Sequence, residues 1–154
     1  MKKSLVIFII SIILFSIPFS IQAQARQCLL EEEWETKIAE KGIYLFGFAY
    51  SWQLREFYDV MSRVDAKDGL MVSFEPTMLV CPGNLVNALG CTYQNSRSSI
   101  SHPYGVRFIR LSTLTPRWDW KRVVAHEYAH SLGIREETGA EAWAQDFLKK
   151  NKFE

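Results

Sequence analysis

Leu54, Phe57, Val60 and Met61 lie on one stripe of a helical period, which predicts a helix over Ser51 to Val64 with that stripe in the core. Leu29 to Glu40 also reads as a helix, with acids in its first turn and Gly42 just past its end. Between these two, Ile43 to Tyr50 is apolar and aromatic, either a short strand or the entry to the second helix. Asp65 to Gly69 is a polar turn, and Leu70 to Phe74 is a strand. Cys81 to Pro103, rich in Asn, Ser and Gly, is expected to be mostly loop. Gly105 to Ser112, GVRFIRLS, alternates in part and reads as another strand, at a sheet edge if it borders a cleft. Thr115-Pro116 then announces a helix, threonine suiting the N-cap and proline the first helical position. That helix should end near Gly133, a residue suited to the position just past a helix end. A last helix begins at about Glu136, with acids at its start and Lys149, Lys150 and Lys152 near its end, a polarity that complements the helix dipole. Helices, strands and two terminal helices make an α+β plan with a small mixed or antiparallel sheet.

The N-terminus stands apart from this pattern. Lys2 and Lys3, a nearly unbroken apolar run and Ala23-Gln24-Ala25 follow the order of a secretory signal, so residues 1–25 are expected to be removed. The alternative is an uncleaved membrane anchor, but Ser11, Ser16, Pro18 and Ser20 interrupt the run. Without Lys2 and Lys3, the eighteen basic residues fall to sixteen against seventeen acidic ones, a net charge of −1. No basic surface then argues for nucleic acid, and no stable membrane association is expected after cleavage. Residues 26–154 hold all five tryptophans and suffice for one domain with a small core. Export, periplasmic or fully secreted, permits disulfides. Cys81 and Cys91 bracket CPGNLVNALGC, a short loop that a bridge would stabilise by roughly 2–3 kcal/mol. Cys28 is left over, free or paired with another chain, and no cysteine pair has the spacing of a thiolate zinc site.

Composition leaves the chemistry to one segment, VVAHEYAHSLGIREETGAEAWA, Val123 to Ala144. His126 and His130 are four apart on the helix that begins near Pro116, so both imidazoles share one face. At that spacing, two neutral imidazoles can bind one Zn²⁺ at about 2.0–2.1 Å each. Glu127, turned by about 100° on the same helix, can stand beside the ion without ligating it and take a proton from water. This is the H-E-x-x-H arrangement of metalloproteases; the bland alternative is two hydrogen-bonded helix histidines. A catalytic zinc needs a third protein ligand and an open position. In a continuous helix Glu137 would lie roughly 16 Å along the axis from His126, so the chain must turn between His130 and Glu137. Gly133 permits the turn. Glu136, Glu137 and Glu141 are the candidate third ligands.

HEYAH followed by EETGAEAWA resembles the gluzincin metallopeptidases, over about Arg107 to Phe147. Those families carry a glutamate ligand on a helix after H-E-x-x-H, within patterns such as E-x-x-A-E. The resemblance implies a zincin-like fold, Glu137 as the third ligand and Glu141 as the carboxylate that holds the far nitrogen of a zinc-binding histidine. Ala140 and Ala144 would let the last helix pack closely on the motif helix. A competing register, HEYAHSLGIRE, is similar to the metzincin pattern with Glu136 as ligand, but no methionine follows it to form a methionine turn. The His130 to Glu137 spacing is shorter than in most gluzincins, and no His or Tyr follows Glu141 to polarise a substrate carbonyl. His102 and Tyr104 are the leading upstream candidates for that role, with Tyr93, Tyr128 and Arg135 behind them. The expected function is an exported zinc metallopeptidase acting on peptide or protein substrates, with Glu127 as general base. The alternative is a zinc-binding assembly or binding factor with little turnover. Oligomeric state and substrate preference are not legible in this pattern.

Overall fold

Alternation of apolar residues builds the sheet on which the rest of the molecule rests. The computed structural model describes residues 32–64, 70–81, 87–94 and 107–153. The expected signal segment, Cys28, the turn at 65–69, His102 and Tyr104 lie outside these residues. Strands β1 (Ile43–Gly47), β2 (Leu70–Glu75) and β6 (Arg107–Ser112) are parallel neighbours, and β5 (Gly90–Gln94) adds to β6 in the antiparallel sense. The order β1-β2-β6-β5 makes a four-stranded mixed sheet. A separate short ladder joins β3 (Leu79–Val80) to β4 (Asn87–Ala88).

Leu70, Val72 and Phe74 of β2 and Ile109 and Leu111 of β6 turn the same way and are buried. Against them pack α2 (Ser51–Met61), through Leu54, Phe57, Val60 and Met61, and α3 (Arg117–Ser131), through Trp120, Val123 and Val124. Phe57 meets Phe74 edge-on at 5.8 Å, and the Trp120 indole N–H donates to the Gln53 carbonyl at 3.1 Å. The first described helix, α1 (32–39), adds Ile38 to this core. The last, α4 (Glu137–Lys150), lies along α3 with Ala140 and Ala144 fully buried, as their small size suggested. The result is α+β, with four helices and a small mixed sheet among the described residues. None of these helices is long and apolar enough to cross a membrane.

One open reading resolves and three local expectations change. Of Ile43 to Tyr50, open between a short strand and a helical entry, Ile43–Gly47 forms β1 and Tyr50 is the N-cap of α2. Within GVRFIRLS, Arg107–Ser112 forms β6, which is an interior strand because β5 covers the edge it could have presented. That covering strand, GCTYQ, falls within the stretch read as loop: its five residues give too little alternation to stand out among Asn, Ser and Gly. Cys91 in β5 is disulfide-bonded to Cys81, with Cα atoms 5.8 Å apart, as their spacing suggested. Lastly, Pro116 rather than Thr115 occupies the N-cap of α3. Thr115 instead donates its hydroxyl back to the Ser112 carbonyl at 2.7 Å, closing the turn out of β6.

Candidate metal centre

One turn of α3 separates His126 from His130, and their rings stand edge to face with centroids 4.7 Å apart. Their Nε2 atoms approach to 3.1 Å. The helix ends directly after them because Gly133 adopts φ +98°, a conformation strained for any residue with a Cβ. Its N–H donates to the His130 carbonyl at 2.9 Å and the Ile134 N–H to the Ala129 carbonyl at 3.3 Å. Those two bonds form a Schellman motif, which satisfies helix-end carbonyls while reversing the chain. The reversal also brings the Ile134 carbonyl onto His130, whose Nδ1–H donates to it at 2.6 Å. With its proton committed there, His130 presents a lone pair on Nε2.

Three residues later the chain enters α4, and Glu137 returns to the histidines. Its Oε2 lies 3.1 Å from His126 Nε2 and 3.7 Å from His130 Nε2. Three ligand atoms held tetrahedrally at about 2.0–2.1 Å from one ion stand about 3.3 Å apart. The separations of 3.1, 3.1 and 3.7 Å fit that size, so His126, His130 and Glu137 could hold a metal ion. Glu136 is the exposed N-cap residue of α4 and does not join this group.

Glu141, one turn beyond Glu137, comes to the other side of His126. Its Oε2 is 3.3 Å from Nδ1, close but off the line of a hydrogen bond, so this buried ring nitrogen has no hydrogen-bond partner. An ordered ring with one nitrogen against Glu137 and the other beside Glu141 is suited to a metal at Nε2. Burial alone would raise the Glu141 carboxyl, but Gln145, Arg122 and His126 together hold it below the usual carboxylate range.

Glu127 faces a different neighbour. It is 5% exposed and turns toward β5, where the Thr92 hydroxyl lies 2.7 Å from its Oε2 and 2.9 Å from its backbone carbonyl. Gly90, also on β5, leaves no room for a Cβ: one built there would fall within contact distance of Glu127 Cγ, Cδ and Oε1. Burial pushes the Glu127 carboxyl above its ordinary value, against the opposing pull of Thr92 and of the two histidines. The motif helix, the start of α4 and β5 enclose an open cleft of about 1140 Å³, lined by His126, Glu127, His130 and Glu137 together with Thr92 and Arg135.

The upstream tyrosines sort differently. Tyr93 borders the cleft, but its phenol oxygen accepts a hydrogen bond from Arg110 at 3.2 Å. Tyr128 is buried against Trp143, with ring centroids 5.9 Å apart. Gly90 and Thr92 were not expected at the site, since they lie on the strand that was read as loop. Arg122, which also lines the cleft, was not singled out either, because nothing in the helical pattern sets it apart from an ordinary surface cation. Comparison with protein-family models, with curated proteins and with solved structures gives no match.

Proposed function

We propose that this chain is an exported, zinc-dependent metallopeptidase of zincin-like fold, with His126, His130 and Glu137 as ligands and Glu127 as general base. One observation carries the reading: three ligand atoms converge on a solvent-open cleft, and a buried carboxylate that holds its proton more readily than usual stands beside them. A structural zinc site is closed by four protein ligands, whereas three leave a position for chemistry. Two histidines and a carboxylate suit zinc, a borderline cation that accepts nitrogen and oxygen donors.

When bound, the ion supplies Lewis acidity, lowering the pKa of water toward about 7 and polarising a substrate carbonyl. Everything else falls to the chain. The Ile134 carbonyl orients the His130 ring through its hydrogen bond, and Glu141 stands beside the far nitrogen of His126. Thr92 holds Glu127 Oε2, which leaves Oε1 to take a proton from the attacking water. Glu127 then returns that proton to the leaving amide nitrogen. Its burial raises its proton affinity, as both steps require. The outer edge of β5 gives an extended peptide a strand to pair with. The Cys81–Cys91 disulfide suits the oxidising compartment that residues 1–25 imply.

A second reading has its own support. Among the described candidates for polarising a substrate carbonyl, the Tyr93 phenol is engaged by Arg110 and Tyr128 is buried. That favours a zinc-stabilised binding or assembly factor with little turnover. Metal analysis and a mixed-peptide cleavage screen with and without chelator separate the two. The peptidase reading expects bound zinc, chelator-sensitive cleavage, and a Glu127→Gln variant that keeps its zinc while losing activity by about 10²–10⁴-fold. Zinc bound without cleavage supports the binding factor, and cleavage surviving in Glu127→Gln rules out the mechanism. Zinc affinity should fall further in Glu137→Ala than in Glu136→Ala; the reverse order favours the other register.

A further inference from the structure

Asp119 is a buried carboxylate in the first turn of α3 that neither faces the metal ligands nor moves a proton in the mechanism above. Its partner is Arg122, one turn along: Nε donates to Oδ1 at 2.5 Å and Nη2 to Oδ2 at 2.9 Å. A two-point grip of this kind fixes the plane of a guanidinium. The remaining nitrogen, Nη1, then reaches across to α4 and donates to Glu141 Oε2 at 2.7 Å. That oxygen is the one standing 3.3 Å from the buried Nδ1 of His126. The far oxygen of Glu141 is held by Gln145, an exposed side chain of α4. Released from Arg122, a carboxylate that is 31% exposed is free to turn to water.

We infer that Arg122 is a positioning residue of the metal centre: anchored by Asp119, it holds Glu141 Oε2 beside His126 Nδ1 and so fixes the ring that presents Nε2 to the metal. This rests on the zinc reading proposed above. Lysine replaces it only in part, since a single ammonium does not supply three nitrogens in a rigid plane. The competing role is a plain staple between α3 and α4, without effect on the metal.

Zinc dissociation constants from competition with a chromophoric chelator decide between these, measured beside the thermal unfolding of each metal-free protein. The set is wild type, Arg122→Met, Glu141→Gln, the double variant and Lys121→Met. Lys121 is the adjacent cation on α3 and faces Asp59 instead. Arg122→Met should weaken zinc binding by about 10–100-fold, the usual loss when an outer partner of a ligand is removed. The double variant should bind no more weakly than the weaker single variant, because both act on one contact. Lys121→Met should bind zinc as wild type does. If Arg122→Met does not fold, Arg122→Lys serves, with a smaller loss expected. Wild-type affinity in the folded Arg122 variant, or losses that multiply in the double variant, would overturn the inference while leaving the zinc reading in place. A wild-type chain that takes up no zinc overturns both.

Discussion

At Gly90 the site has no space for even a methyl group. The atoms in the way all belong to the Glu127 side chain, which can swing, rather than to backbone, which cannot. A Gly90→Ala variant should therefore fold and bind zinc but carry a displaced base. A misplacement of about 1 Å costs on the order of 10²-fold in rate. Zinc content and kcat together check this: loss of zinc, or an unchanged kcat, would show that Gly90 serves something other than the base. His126, Glu127 and His130 were legible because one helical period sets their relative directions whatever surrounds them. Gly90 and Thr92 were not, because Thr92 meets Glu127 across 35 residues of chain, a separation that no local period reaches.

Between residue and whole molecule, the working unit is α3, its turn and α4. Gly133 lets the chain reverse, and Ile134 both closes the helix end and steadies His130. Alanine at position 133 would force a Cβ into a left-handed conformation at a cost of about 1–2 kcal/mol. Gly133→Ala is expected to lose that much stability in denaturant titration of the metal-free protein. It should also bind zinc more weakly, as Ile134 and Glu137 shift together. A stability loss with unchanged zinc affinity would mean that the turn tolerates the change without moving the ligands. The turn could be anticipated because Gly133 lies between two segments of helical pattern, and only a reversal lets Glu137 approach His126. The strand facing this unit could not, since GCTYQ takes its identity from pairing with β6 rather than from its own composition.

Across the whole sheet, β2 and β6 are joined by Arg110, whose Nε and Nη2 each donate to a Glu75 oxygen at 2.6 Å. These bonds hold the Glu75 carboxyl below its ordinary value, despite an opposing effect of burial. Because the folded value is the lower, the stabilisation is present above the unfolded value of about 4.3 and disappears as pH falls through the folded one. With both side chains 26% exposed, solvent screening limits the pair to about 1 kcal/mol. Glu75→Gln should lose about that much at pH 7 and little in strong acid, flattening the acid limb of a pH–stability curve for the metal-free protein. An equal loss at every pH would assign the effect to packing rather than charge.

The linear pattern was sufficient for whatever depends on neighbours within a turn or two: the H-E-x-x-H face, the core stripe of α2, the reversal at Gly133 and the closure of a ten-residue separation between Cys81 and Cys91. Each follows from backbone geometry that is the same in any protein. Other features came only with the packed molecule: which strand forms the sheet edge, which strand walls in Glu127, and how Asp119 and Arg122 reach Glu141. They depend on where segments far apart in the chain come to rest, and that is set by burial of the shared core rather than by the spacing of any one segment.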